Sequence, residues 1–240
     1  MSVFRDLVRC IDDARKDLMR ARHRLSKFLL RRGMRYPGRQ WTPPHERWLG
    51  TRRFDDALSQ ATFIAYCCAV DALVHRRRAL IAVLEQAVPA SGHAETIARL
   101  RCFRGIDTLL AAGVCADVGS FERFARPALL SGFLGIVPSE YSSDSKRVQG
   151  AITKAGPTHA RRLLVEAAHH YRRRPRVSRE LAARQAGQDP RVVQIAWRAQ
   201  RRLHARWAHL GQDRGKPTGT VAIACARELA AFCWEAATLN

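Results

Sequence analysis

The 240-residue chain is short of acidic side chains. Its 21 Asp and Glu residues stand against 42 Lys and Arg, which gives a formal net charge of +21 at pH 7. This excess is larger than solubility requires, so the sequence favours a polyanionic partner, either nucleic acid or an anionic membrane surface. Most of the cations are arginine, which binds phosphate through two hydrogen bonds at once. The composition therefore favours nucleic acid.

The chain also has few long apolar runs. The two best candidates for a membrane span, 128–138 and 221–234, are short or carry charge. The first ten residues include Asp6 and lack the apolar core of a signal peptide. We therefore expect no membrane partner and a cytoplasmic location.

Cysteine and histidine patterns that hold metals are absent as well. The seven cysteines are an odd number without a C-x-x-C pair, and most lie in apolar helical surroundings. We interpret them as reduced core residues rather than as a disulfide or zinc framework. The adjacent His169 and His170 point to different sides of a helix and make a poor metal pair.

No region is rich in strand patterns, and we predict an all-α fold. Apolar residues from Phe4 to Phe28 recur in alternating steps of three and four, which is the pattern of a coiled-coil seam. A second helix over about 55–87 repeats this spacing. We predict a long antiparallel helical hairpin or coiled-coil arm over residues 1–90, followed by a compact helical domain over residues 95–240.

The compact domain begins with a helix, a turn containing Gly105 and Ile106, and a second apolar helix. This order is typical of a helix-hairpin-helix element, in which the turn amides and the next helix N-terminus face a phosphate. An ordinary turn between two helices has the same spacing, so both interpretations stay open. Under the first, Gly105 and Ile106 bind nucleic acid.

The densest positive charge lies beside a cluster of three serines, Ser142, Ser143 and Ser145. A serine hydroxyl attacks a phosphate only with the help of a base or a strong field, and nearby cations stabilise the charge that develops on the phosphate oxygens. The same cations also bind phosphate without any chemistry. Both a DNA-contacting turn and a nucleophile therefore stay open, and the candidate cations are Lys146, Arg147, Lys154, Arg161 and Arg162.

Several motifs follow one another in RLRCFRGID (99–107) and in the segment SFERFARPALLSGFLGIVPSEYSSDSKRVQGAITKAGPTHARRLLVEAAHHYR (120–172). They are a Gly-Ile step, an apolar run closed by proline, the serines, ITKAG and a helix beginning ARRLL. Together they resemble the C-terminal transposase domain of insertion-sequence transposases related to the Piv DNA invertase, also called bridge-RNA recombinases. The resemblance covers about residues 95–235.

The resemblance implies a DNA transposase or recombinase in which a serine becomes covalently joined to DNA during strand transfer. It maps the catalytic serine onto Ser143, with Asp144 standing where the family has glycine. An acid at that position adds negative charge beside the attacked phosphate. DNA, a guide RNA and a homo-oligomer are the partners that follow from the resemblance.

Members of this family also carry an N-terminal RuvC-like domain with four metal-binding acids. We expect that domain to be missing here, because the acids near Met1 lie along a helix with no strand to present them. We accordingly expect no cofactor and no metal site within the chain, and a divalent metal would belong to the missing domain. The alternative function is a non-catalytic remnant that binds DNA or RNA and dimerises through its N-terminal helices.

Overall fold

The computed structural model describes residues 3–143 and 146–239, and for residues 141–143 and 146–149 it describes only the backbone. Within that part the chain forms ten α-helices and one two-stranded sheet, which confirms the predicted all-α fold. The chain divides into two compact units, Arg9–Val83 and Met1–Val8 with Leu84–Asn240. The domain limits predicted from the sequence stay a prediction.

The unit Arg9–Val83 contains two long helices and a short one, α1 (Val3–Arg31), α2 (Pro43–Gly50) and α3 (Ala57–Ala87). The coiled-coil pattern of α1 supplies its buried side, including Leu18, Ala21, Leu25 and Phe28, and α3 contributes Phe63 and Val70. Helix α2 begins with two prolines, which suit the first helical positions because an N–H there would have no partner within the helix.

Helices α1 and α3 run antiparallel. Just beyond the end of α1, the guanidinium of Arg32 donates a hydrogen bond of 2.9 Å to Ser59 near the start of α3. The rings of Phe28 and Phe63 stack at the same end, with centroids 6.5 Å apart. These aromatic contacts hold the end of α1 against the start of α3, and the segment between the two helices contains α2.

Much of the apolar surface of α3 faces away from this core. Together with the turn that follows, residues 57–90 form a 34-residue helical stretch whose most apolar window is only 11% buried. By length and composition it is the one helix within 3–143 and 146–239 that could cross a membrane. The two segments considered as membrane spans from the sequence, 128–138 and 221–234, do not overlap residues 57–90. Length and composition suit a helix that packs on protein equally well.

The other unit contains the remaining seven helices and the sheet of the described residues. Helix α5 packs against α7, and α10 packs against α4, α6, α7 and α9. The elements, in chain order, are α4 (Ala94–Leu100), α5 (Thr108–Val118), α6 (Pro127–Phe133), β1 (Pro138–Ser143), β2 (Lys146–Ile152), α7 (Thr158–Ala168), α8 (Arg179–Gln185), α9 (Pro190–Ala208) and α10 (Thr218–Ala237).

Small residues form the contacts between these helices. Ala160, Ala167, Ala196, Ala199 and Ala226 are fully buried, and side chains of this size let helix axes approach closely. Four of the seven cysteines are buried in the same core. Burial raises the pKa of Cys102 to about 11 and the pKa values of Cys115 and Cys225 to about 12, so these thiols stay protonated. This agrees with the interpretation of the cysteines as core residues for these four, whereas Cys10 and Cys67 are only partly buried and Cys68 is exposed because it lies on the outer side of α3.

Candidate nucleic-acid interface

The serines lie on a β-hairpin, where sequence reasoning expected a loop. Strand β1 pairs antiparallel with β2, and residues 144 and 145 connect them. Ser143 is paired in register with Lys146, and Ser142 with Arg147. The predicted nucleophile and two predicted phosphate ligands therefore occupy the last two pairs before the turn. Asp144 and the side chains of these four residues lie outside the described part of the chain.

The base of the hairpin is anchored where two backbone segments cross. Gly135 and Gly156 both have left-handed backbones, with φ of +65° and +71°. A Cβ on Gly135 would overlap the carbonyl oxygen of Ala155, and one on Gly156 would overlap that of Phe133. The amide of Lys154 donates to the Gly135 carbonyl at 3.1 Å. Glycine is therefore required at both crossing positions.

Arg161 joins the two crossing segments. One of its terminal nitrogens donates to the carbonyl oxygens of Leu134 (2.9 Å) and Ala155 (2.8 Å), and the other donates to Thr158 Oγ1 at 3.1 Å. The prediction placed Arg161 on an exposed flank as a phosphate ligand. In the structure it is half-buried and engaged with the backbone, because both segments present carbonyl oxygens to it.

The other two predicted cations beyond the hairpin strands differ from each other. Lys154 is exposed beside the crossing, and its φ is +56°. Arg162 is half-buried and forms an ion pair with Glu166 at 2.6 Å on the surface of α7. Lys154 is thus open to a ligand, while an acid already compensates part of the charge of Arg162.

A buried carboxylate fixes the start of α7. Asp117 accepts a hydrogen bond of 3.0 Å from the amide of Ala160. Its Oδ2 lies 3.3 Å from His159 Nδ1, and its Oδ1 lies 3.6 Å from the guanidinium of Arg5. Burial alone raises the pKa of Asp117, but His159, the Ala160 amide and Arg5 outweigh burial and hold this pKa below its usual value. The ionised carboxylate therefore ties the helix that follows the hairpin to α5.

The turn between α4 and α5 has the geometry that glycine allows. Gly105 has a φ of +81°, and a Cβ on it would lie 2.9 Å from the ring of His170. Asp107 caps α5 by accepting the amide hydrogen of Leu110 at 2.8 Å. The Ile106 side chain is 1% exposed, and its carbonyl accepts a hydrogen bond from Arg184. The Ile106 amide donates to the Phe103 carbonyl at 3.2 Å, so neither the side chain nor the backbone of Ile106 is open to nucleic acid.

A basic cleft of about 1000 Å³ opens beside this turn. Sequence reasoning counted the charge of the run 172–176 but named none of its arginines as a site. The dense arginine run 172–176 is the sequence signal for this cleft. The other two cleft arginines, Arg104 and Arg184, come from other elements. We call this surface the arginine cleft; it contains Gly105, His170, the acids Asp107 and Glu180, and the arginines Arg104, Arg173, Arg174, Arg176 and Arg184.

The backbone of the arginine run is held in place. The guanidinium of Arg104 donates to the carbonyl oxygens of Arg173 (3.2 Å) and Arg174 (2.8 Å). The amide of Arg176 donates to Oε1 of Gln200 at 3.2 Å, and Gln200 is 1% exposed. The side chains of the run are exposed on this fixed backbone, so less ordering is needed when they bind a ligand.

The positive charges of the cleft act on one another. Burial lowers the pKa of His170, and the charges of Arg104 and Arg173 lower it further. Burial also lowers the pKa of Arg104, again with help from Arg173. A bound anion would relieve this repulsion, because it lies close to several cations at once.

The hairpin and the arginine cleft lie at opposite ends of one helix. The chain passes from β2 into the start of α7, and His170 and the arginine run follow its end. Eleven residues separate these ends by about 16 Å at the usual helical rise. That separation corresponds to about five base pairs of DNA.

Residues 97–183 match the family model described as Transposase IS116/IS110/IS902 family. The matched segment contains the Gly105 turn, the hairpin, α7 and the arginine run. Both candidate surfaces, apart from Arg184, therefore lie within the part of the chain that resembles this family.

Named insertion-sequence transposases resemble nearly the whole chain. It is 38% identical over 235 residues to "Putative transposase y4qE" of Sinorhizobium fredii, a match that covers 98% of the chain and 57% of that protein. It is 30% identical over 215 residues to "Transposase for insertion sequence element IS1533" of Leptospira borgpetersenii, covering 88% of the chain and 62% of that protein. The chain thus spans less than two thirds of the length of both relatives.

The glycine crossing predicts the effect of Gly156→Ala. We expect it to lower the free energy of unfolding by about 2 kcal/mol or more, because the new Cβ both strains the backbone and overlaps the Phe133 carbonyl. Gly187→Ala is the matched control, since Gly187 has a similar φ of +75° but no atom within 4 Å of a Cβ. Urea unfolding followed by circular dichroism measures both, and equal losses would contradict the crossing as the cause.

Proposed function

We propose that the chain is the DNA-binding and DNA-joining part of an insertion-sequence transposase, with Ser143 as the nucleophile of strand transfer. The observation that carries the proposal is the register pair of Ser143 and Lys146 at the end of a hairpin, in a unit that also contains the arginine cleft. The similarity to named transposases supports the same function. A guide RNA and a RuvC-like segment are further partners proposed from the resemblance to bridge-RNA recombinases.

DNA binding is assigned to the arginine cleft and to the exposed Lys154. Arg173, Arg174 and Arg176 project from a backbone that Arg104 and Gln200 hold in place. Guanidinium groups arranged in this way suit phosphate oxygens, and they bind the DNA backbone without reading its sequence. This contact positions the duplex along α7 toward the hairpin.

The proposed reaction exchanges one phosphodiester for another. Ser143 Oγ attacks a DNA phosphorus, a new P–O bond forms, and the bond from phosphorus to the sugar oxygen breaks. The serine proton passes, through a base or water, to the departing sugar oxygen. A hydroxyl of a second DNA end then attacks the phosphoserine, joins the strands and restores Ser143. Lys146 and Arg147 are the cations assigned to the charge that develops on the phosphate oxygens.

The described residues do not fit a metal site of the kind that the RuvC-like half implies. Within 3–143 and 146–239, no group of three or more His, Cys, Asp or Glu residues converges to hold a metal ion. None of the steps proposed at Ser143 uses a metal. We propose that a RuvC-like segment outside the described residues supplies the metal-dependent chemistry.

The arginine cleft predicts a change in the salt dependence of DNA binding. Arg173→Ala with Arg176→Ala is expected to weaken binding to a random duplex and to reduce the slope of log K against log [salt] by about 2, because two phosphate contacts are lost. Fluorescence anisotropy from 50 to 300 mM salt measures the slope.

The control for this experiment is Arg20→Ala with Arg24→Ala. It removes the same charge from exposed positions on α1. The same loss of slope in the control would assign the effect to net charge and contradict a localised site. The DNA-binding proposal is wrong if the cleft variant keeps the wild-type slope.

The serine chemistry predicts a covalent adduct that depends on one hydroxyl. With a RuvC-like domain and guide RNA added in trans, we expect the chain to form an SDS-resistant adduct on nicked end-labelled DNA. Ser143→Ala should abolish it, while Ser142→Ala should retain it. Mass spectrometry of the nucleotide-linked peptide identifies the attached residue. An adduct that forms without Ser143 contradicts the assignment, and one that survives both changes contradicts the serine mechanism.

A second candidate function is a non-catalytic nucleic-acid-binding protein that dimerises through its N-terminal helices. The observation in its favour is an exposed stripe on α3 with alternating steps of three and four, which is the spacing of a coiled-coil seam. Small side chains dominate it, so a second helix could approach closely. We call it the α3 stripe; it comprises Leu58, Ala61, Ala65, Cys68, Ala72, His75, Ala79 and Ala82, all of them exposed.

The α3 stripe predicts a dimer that one charge disrupts. We expect the wild-type chain, 27.0 kDa as a monomer, to have twice that mass in light scattering at micromolar concentration. Ala72→Glu should return it to the monomer, because the glutamates would be buried against each other. Thr62→Glu, an exposed change on another side of α3, is the control. A wild-type monomer, or a chain that instead floats with lipid vesicles, contradicts the dimer.

A further inference from the structure

The unit Arg9–Val83 contains a small cavity that the proposed reaction does not use. Its volume is about 350 Å³, and it lies where the end of α1, the loop after it and α2 meet. Sites for small ligands have volumes of about 300–1,000 Å³, so this one has room for a single flat group. The residues that line the cavity indicate which class of ligand it would bind.

Aromatic rings form one wall of this cavity. The ring of His45 lies 4.9 Å from that of Tyr36 and 5.1 Å from that of Trp41, centroid to centroid. It is stacked on Trp48 at 5.8 Å with an angle of 18° between the planes. His45 is 2% exposed, so the other three rings form a packed group around it. Flat ligands stack on such surfaces, and every nucleic-acid base has a face that suits them.

The wall includes one strained residue. Trp41 has a φ of +61°, a left-handed conformation that costs a bulky residue of order 1–3 kcal/mol. Its amide donates a hydrogen bond of 3.2 Å to His45 Nδ1, which keeps the backbone in this conformation. Strain of this kind is concentrated at ligand sites, where it positions a side chain that a relaxed backbone would turn elsewhere.

The charges around the cavity favour an anionic ligand. Lys27 and Arg35 line it and are both exposed. The guanidinium of Arg22 lies 4.9 Å from the centroid of the Trp41 ring but does not line the cavity. Burial and the charge of Arg22 lower the pKa of His45 and outweigh the opposing effect of Glu46, so the ring is neutral and accepts the Trp41 amide at neutral pH.

Two polar side chains beside the rings could contact the edge of a base. Ser26 and Gln40 line the cavity and form a weak hydrogen bond of 3.4 Å with each other. A glutamine amide presents a donor and an acceptor side by side, which matches the edge of a base. The lining therefore combines a stacking surface, an amide and two cations.

We propose that this cavity binds one unpaired nucleotide, with the base against Tyr36 and Trp41 and the flanking phosphates on Lys27 and Arg35. A paired base inside a duplex does not fit, because its faces are covered by its neighbours. The ligand is thus single-stranded nucleic acid, from DNA or from RNA. This site needs neither Ser143 nor the arginine cleft.

The test measures binding of labelled (dT)12, (U)12 and a matched duplex to the full-length chain that carries Arg173→Ala and Arg176→Ala. Tyr36→Ala in this background should weaken single-strand binding about 5- to 100-fold, as expected for the loss of one stacking contact. Tyr36→Phe keeps the ring and should retain the affinity. The weak duplex binding should be the same in all three proteins.

Lys27→Ala with Arg35→Ala is a second variant at exposed positions, which keeps the test decisive if Tyr36→Ala lowers stability. It should also weaken single-strand binding more than duplex binding. Preference for (dT)12 or (U)12 identifies DNA or RNA as the source, and either result supports the site. The proposed site is wrong if the background protein, Tyr36→Ala and the double variant bind single strands with equal affinity. It is also wrong if single-strand and duplex binding are weakened equally. Because the background lacks the cleft arginines, failure here leaves the proposed transposase function untouched.

Discussion

The crossing of Gly135 and Gly156 is the contact on which the candidate site depends. A two-stranded hairpin is marginally stable in water, so β1 and β2 need an anchor at their base. The crossing provides it because each glycine lies against a carbonyl oxygen of the other segment. Arg161 bridges the two segments, and Asp117 fixes the start of the helix that carries Arg161. The position of Ser143 thus depends on residues that have no part in the proposed reaction.

Arginine has two different roles in this protein. With 42 basic and 21 acidic residues, at least half of the cations have no carboxylate of their own, and several guanidinium groups bind backbone carbonyl oxygens. Arg99, which also pairs with Glu95, donates to the carbonyl oxygens of Ala237 and Leu239 at the end of α10, where carbonyls lack partners within the helix. Arg104 and Arg161 act in the same way at turns. The net charge therefore overstates the charge that is open to an anionic ligand, which is concentrated where arginines project from a backbone held by others.

Part of the fold and of the site could be predicted from local pattern. Helices α1 and α3 follow from apolar residues in steps of three and four, and these helices occupy the expected ranges. The hairpin could not be predicted, because its strands contain few β-branched residues and no regular alternation, and they depend on an anchor outside them. Ile106 was named from its place beside Gly105, but spacing does not reveal whether an apolar turn residue faces the core. Arg104 and Arg184 were missed because the fold brings them to the arginine run from elsewhere in the chain.

The sequence by itself determined the helical class, the positive charge and the segment in which serines meet cations, because periodicity and composition are properties of neighbouring residues. Only the tertiary structure decided which cations are open to a ligand. It engaged Arg161 with two carbonyl oxygens, left Lys154 exposed and gathered five arginines beside Gly105. It also enclosed Trp41 and His45 in one cavity. These outcomes depend on contacts between distant segments, whose geometry no local pattern contains.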